Sequence, residues 1–435
     1  MPSNCDLLIT HGTILTAPGQ RPTLTDGFVA IHQGVIHSLG PMTDLPSPLR
    51  ARRTLDARGG LVMPGLVNGH CHSAMTLFRG LADDLPLMEW LHHHIFPAEA
   101  RLVTREMVYW CSKLAAAEMI QAGVTTVADS YFFEEEAARA FHDAGMRAVV
   151  AQGVIDFPAP GVPDPTRNIE AAAAAIERCR GFKRITPALF CHSPYTCGPR
   201  TLERAKELAR AEQCKLFIHL AETREEVQQI RDQQGVSPTG YLERLGILDR
   251  DTVAVHGVHL DPADIAILKE RGVGVITCPE SNMKLACGIA PVPAMLAAGI
   301  PMGLGSDGCA SNNDLDLFSE MDTLAKLHKV ACLDPTVLPA REALRLATSG
   351  GASVLGLDGQ IGRLAPGLAA DCLIIELESP HLTPFHSPDL LVYAAKGSDV
   401  RTTIIGGEVV MEERRIQTFD LAETMAKVRE LSMKN

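Results

Sequence analysis

No run of about eighteen uninterrupted apolar residues occurs in this chain, so nothing in it reads as a membrane-spanning helix. The opening Met1-Pro2-Ser3-Asn4-Cys5-Asp6 has neither the basic start nor the apolar stretch of a secretory signal. A basic stripe is missing as well: 40 Lys and Arg stand against 52 Asp and Glu, and the formal charge of −12 argues against a nucleic-acid partner. No block of like charges is long enough for an interaction tail. The 12 cysteines contain no CxxC pair, which leaves reduced thiols packed in a core and points to a cytoplasmic protein. No glycine-rich phosphate loop follows the first strand run, which speaks against a doubly wound dinucleotide-binding sheet.

What is present is enough sequence for a large barrel and a small satellite: 435 residues, 46 % apolar and 21 % charged. Both ends read as short strands with tight turns. Phe28–Ile31 and Val35–Leu39 flank Gln33-Gly34, Ala370–Leu377 reads as a strand, and Thr402–Met411 folds about Gly406-Gly407. The middle alternates β-branched runs with amphipathic helical stretches such as Thr104–Ala122 and Thr201–Gln213. Eight strands are expected at Leu61–Asn68, Val124–Ala128, Ala148–Ile155, Ile185–Cys191, Leu216–His219, Thr252–His256, Val273–Thr277 and Met302–Leu304. The expected fold is therefore α/β: a (β/α)₈ TIM-type barrel over residues 61–359, with a small β-sandwich domain built from residues 1–60 and 360–435.

The strong polar candidates fall at strand ends, where a barrel of this kind carries its chemistry. His70 and His72 follow the first run two residues apart, a spacing that puts both imidazoles on one face and Cys71 on the other. His219 ends the fifth run, His256 the sixth and Asp307 the eighth. Singly, each has a plain structural explanation; together they converge on one barrel mouth. Imidazoles with a carboxylate suit zinc or a similar first-row divalent ion.

On these features the chain resembles the amidohydrolase superfamily, in its deaminase/chlorohydrolase branch. The matching residues are Pro64-Gly65-Leu66-Val67-Asn68-Gly69-His70-Cys71-His72, the pair His219 and Glu222, His256, and Ser306-Asp307. Within that branch it most resembles the 5′-methylthioadenosine/S-adenosylhomocysteine deaminases. That likeness rests on Met88-Glu89-Trp90-Leu91, Cys191-His192-Ser193-Pro194-Tyr195, Asn282-Met283-Lys284-Leu285 and the segment Asp307 to Asn313.

The resemblance implies a hydrolytic deaminase that converts the adenine of a nucleoside to hypoxanthine with release of ammonia. Binuclear members of the superfamily bridge two ions with a carboxylated lysine on the fourth strand. Ile185–Cys191 has no lysine, so one divalent ion, zinc by expectation, is assigned to His70, His72, His219 and Asp307. Asp307 is then placed to take a proton from water, Glu222 to carry protons to the ring and the leaving ammonia, and His256 to orient the attacking oxygen. The alternative for Glu222 is an exposed cap on the helix beginning near Thr223.

Substrate contacts implied by the resemblance are Trp90 on the purine or thioether, Glu99 on ribose hydroxyls, and His192 and Ser311 nearby. Gln152 stands where related deaminases carry an arginine for the homocysteine carboxylate, and Arg167 matches a second such arginine. S-adenosylhomocysteine is therefore expected to be a slower substrate than a neutral 5′-substituted adenosine. The run His92-His93-His94 is read as a solvated helix face, since neighbouring helical residues point about 100° apart. A homo-oligomer is expected from the resemblance alone. The competing functions are deamination or dechlorination of another aminoheterocycle, guanine or a triazine, and a catalytically dead scaffold that would have lost ligands.

Overall fold

The computed structural model describes residues 4–17, 24–46 and 49–433; Met1 to Ser3 of the N-terminal stretch read above lie outside them. Eight parallel strands form the barrel: β1 (Leu66–Cys71), β2 (Val124–Tyr131), β3 (Arg147–Val154), β4 (Ile185–Cys191), β5 (Leu216–Leu220), β6 (Thr252–His256), β7 (Gly274–Thr277) and β8 (Met302–Leu304). They pair in sequence order. The first and last are stitched together just past the end of β8, where the Asp307 N–H donates to the His70 carbonyl at 3.0 Å and Asn68 Nδ2 donates to Ser306 Oγ at 2.7 Å.

Both faces of these strands are apolar, as a parallel sheet covered by helices requires. Val149, Ala151, Phe190, Phe217, Val253, Val255 and Ile276 form one cluster inside the barrel. Alternate residues such as Val150, Leu189, Ile218 and Val275 pack outward with the helices. The expected helix at Thr104–Ala122 runs Arg105–Gln121, with Thr104 capping it by accepting the Met107 N–H at 3.2 Å.

A second, nine-stranded sheet draws on both chain ends. Its hairpin turns follow from residue types that tolerate positive φ: Gln33 and Gly34 lie at 51° and 80°, and Gly406 and Gly407 at 56° and 75°. The run expected as one strand, Leu61–Asn68, is two. Leu61–Pro64 pairs antiparallel with Cys372–Ile375 in the satellite sheet, and β1 starts at Leu66. Gly65 is the crossing point, where a Cβ would come within 2.1 Å of Thr125 Oγ1 and where the backbone N–H donates to the Asp371 carbonyl at 3.0 Å. Only glycine lets the chain pass so close to the second strand.

Candidate active site

Five buried or nearly buried groups converge at the C-terminal mouth of the barrel. The ligand atoms of His70, His72 and His219 lie within 4.8 Å of one another, as do those of His70, His256 and Asp307. His70 Nε2 and His219 Nε2 are 3.2 Å apart. Asp307 Oδ1 is 3.3 Å from His72 Nε2 and 3.6 Å from His70 Nε2, and it is buried without a hydrogen-bond partner. An orphaned carboxylate oxygen facing three imidazole nitrogens would be costly in a finished protein interior. A divalent cation at their centre removes that cost, so the donor set fits a metal ion.

The neighbours hold each ligand in the state a metal needs. Burial pushes the His70 imidazole down to about 4, with His72 and His256 adding to the fall and Asp307 opposing it. Burial likewise holds His219 well below the usual imidazole range. Both rings are therefore neutral near pH 7. His72 Nδ1 donates to the Ser130 carbonyl, which leaves Nε2 free to ligate. The other oxygen of Asp307 accepts hydrogen bonds from Ser281 Oγ at 2.6 Å and Ser311 Oγ at 2.9 Å. Ser281 was not anticipated from sequence, and Ser311, expected as a substrate contact, both lines the pocket and steadies Asp307.

His256 and Asp307 sit in the left-handed backbone region, at φ 72° and 61°. Non-glycine residues pay strain there. At His256 the reason is visible: Val253 and Val255 point into the barrel, so a continued pleat would send His256 outward. Its positive φ breaks the alternation, and the ring lies 4.9 Å from that of His219.

Glu222 is buried, with Oε1 3.8 Å from His256 Nε2, and burial raises its carboxyl above the usual range. It does not cap the following helix. Thr223 does so by accepting the Glu226 N–H, while the Glu226 carboxylate accepts the Ala221 and Glu222 N–H groups at 2.8 Å each. The Thr223-x-x-Glu226 spacing is the sequence signal for that arrangement.

A pocket of about 500 Å³ opens above the cluster. Trp90, Glu99, His192 and Ser311 line it together with His72, His219, Glu222, His256 and Asp307. Glu99 accepts a hydrogen bond from the Tyr131 hydroxyl at 2.6 Å, and burial pushes its carboxyl up to about 7 despite that bond. His192 Nδ1 lies 3.1 Å from Thr196 Oγ1, which turns the other ring nitrogen away from this contact.

Two expected substrate contacts are not brought to the pocket. Gln152 is buried on the opposite face of β3 from Val149 and Ala151, where its Oε1 accepts the Glu134 N–H at 3.2 Å. Strand alternation carries it away from the mouth. Arg167 is exposed beside Glu170 at 3.3 Å on the surface and does not line the pocket. The expected departure at position 152 therefore has no direct line to a substrate tail. His92, His93 and His94 are exposed on the π-helical turn Trp90–Ile95, as a solvated face.

The chain is similar to several known proteins over nearly its whole length. Residues 61–410 match the amidohydrolase family. The 5-methylthioadenosine/S-adenosylhomocysteine deaminase of Syntrophobacter fumaroxidans is 50 % identical over 428 residues, covering 98 % of each chain. A protein of the same name from Syntrophus aciditrophicus is 45 % identical over 430 residues, covering 99 % of this chain and 97 % of its own. An adenosine deaminase from Xanthomonas campestris, solved with bound zinc, superposes with a TM-score of 0.96 at 37 % identity, covering 100 % of this chain and 99 % of that one. Guanine deaminase of E. coli shares the fold, with a TM-score of 0.82 at 24 % identity over 93 % of this chain and 99 % of its own. The chain thus belongs to the amidohydrolase family, among the 5-methylthioadenosine/S-adenosylhomocysteine deaminases.

Proposed function

We propose that this protein is a hydrolytic deaminase of 5′-substituted adenosines: water adds at C6 of the adenine ring, the C6–N bond breaks, and hypoxanthine nucleoside and ammonia leave. The observation that carries this reading is a buried carboxylate, Glu222, beside His256 at the edge of the imidazole and Asp307 cluster; we assign it outside the ligand set. Deamination needs a group that delivers protons to a ring nitrogen and to the departing amine, and a carboxyl raised by burial is suited to hold them.

His70, His72, His219 and Asp307 are assigned as ligands of one divalent ion, with zinc the expected metal. When bound, such an ion lowers the pKa of a water molecule toward about 7. Lys183 is taken up by Glu408 at 2.8 Å and Lys215 by the Arg250 carbonyl at 2.8 Å, so neither is available to bridge a second ion. The attacking water gives up two protons: Glu222 takes the first and delivers it to the ring nitrogen, and Asp307 takes the second from the hydroxyl of the adduct, the proton that leaves with the amine as ammonia. His256, with Nε2 toward Glu222, orients the attacking oxygen as water adds. Trp90 and the apolar wall enclose the base, and Glu99 accepts ribose hydroxyls. The barrel expected over residues 61–359 carries this chemistry, with Leu61–Pro64 lending a strand to the satellite expected from residues 1–60 and 360–435.

The supporting experiment is a substrate panel: methylthioadenosine, 5′-deoxyadenosine, adenosine, S-adenosylhomocysteine, guanine and atrazine, followed by ultraviolet absorbance. Turnover of the adenosines with guanine and atrazine inert is expected. Preference for guanine or atrazine would replace this reading with the other branch activity.

A further inference from the structure

Two pockets in this molecule share one wall. The active-site pocket and a second one of about 490 Å³ are both lined by Leu91, Phe96, Phe157 and Tyr195. Phe96 and Phe157 meet with ring centroids 5.5 Å apart, inclined at 60°. Phe96 also lies 6.3 Å from His192, whose ring is 5.2 Å from that of His219. The partition therefore begins at the imidazoles of the site.

Phe157 is held in place from the chain itself. The preceding Asp156 accepts the Gly198 N–H at 2.6 Å, the Thr201 hydroxyl at 2.7 Å and Asn168 Nδ2 at 3.0 Å. After it come Pro158, Pro160 and Pro163 with a tight pairing of Ala159 and Val162, bonded both ways at 3.1 and 2.9 Å. Each proline fixes one backbone angle, so this wall is stiff.

Chemical character changes across the partition. The inner pocket is largely apolar on this side, with Leu87, Ile95 and the three prolines. The outer pocket presents the neutral amides of Gln229, Gln233 and Gln234, with His92 and Asp156 beside them. Neither pocket is lined by a lysine or an arginine.

We propose that the Phe96–Phe157 pair sets the range of 5′-substituents this enzyme accepts, favouring short uncharged ones. A long tail, such as the homocysteine of S-adenosylhomocysteine, has to part the two rings and end among the amides of the outer pocket. A carboxylate gains less from a neutral amide than from a guanidinium fork. This inference rests on the deaminase reading of the inner pocket.

The test compares kcat/KM for methylthioadenosine and S-adenosylhomocysteine in the wild type, Phe157→Leu, Phe157→Ala and Gln233→Arg. Opening the wall should raise the S-adenosylhomocysteine to methylthioadenosine ratio by about tenfold in Phe157→Ala and less in Phe157→Leu, and a cation at position 233 should raise it with the wall intact. A ratio unchanged in the folded Phe157 variants overturns the partition, as does an unchanged ratio in Gln233→Arg should the Phe157 variants fail to fold. Wild type inert toward both nucleosides would instead overturn the deaminase reading itself.

Discussion

Asn282 holds its side-chain oxygen 3.0 Å from Nδ1 of His256, and that contact decides which ring nitrogen faces the pocket. With a carbonyl oxygen as partner, Nδ1 carries the proton and Nε2 points toward Glu222. Asn282→Ala removes the acceptor and frees the ring to turn. We expect kcat to fall by about 10- to 100-fold, the usual size for loss of such a supporting contact, with metal content unchanged. Elemental analysis beside steady-state kinetics checks both halves; an unaltered kcat would mean that His256 needs no orientation.

Glu222→Gln should keep its metal and lose turnover by about 10²- to 10⁴-fold. The amide retains size and burial but cannot carry protons. Near-normal kcat in this variant contradicts the shuttle role, and loss of metal would move Glu222 into the ligand set.

Purified protein should contain about one divalent ion per chain. His219→Ala should lower metal content and activity together, because His219 Nε2 sits 3.2 Å from His70 Nε2 at the centre of the cluster. Two tightly held ions in active protein, or full metal in the variant, contradicts the assignment.

Substrate affinity should depend on pH through Glu99. Its carboxyl is raised to about 7 by burial, against the lowering effect of the Tyr131 hydroxyl. Below that value the group is neutral and accepts ribose hydroxyls poorly; above it the carboxylate accepts well. KM should therefore fall as pH rises through about 7, and Glu99→Gln should flatten that change. A KM profile identical in wild type and variant removes Glu99 from the ribose.

Much of the site was legible because its residues sit where strands stop. His70, His72, His219, His256 and Asp307 each end or closely follow a strand, and parallel strands deliver all such ends to one mouth. What was hidden depends on contacts across the fold. The split of Leu61–Asn68 turns on how close Gly65 passes to Thr125, which a continuous apolar run does not reveal. Gln152 lies on the outward face of a strand buried on both sides, so apolar patterning gives no parity from which to read its direction. Ser281 and Asn282 act on Asp307 and His256 from the short helix Pro279–Lys284 after β7, and only the closed barrel brings them together.

The most direct test of the central claim is hydrolysis of methylthioadenosine in ¹⁸O-labelled water, with ammonia and nucleoside product quantified together. Equal amounts of ammonia and a hypoxanthine nucleoside carrying one labelled oxygen at C6 are expected, with the glycosidic and thioether bonds intact. Loss of adenine from the sugar, or product formed without ammonia or label, would contradict the claim.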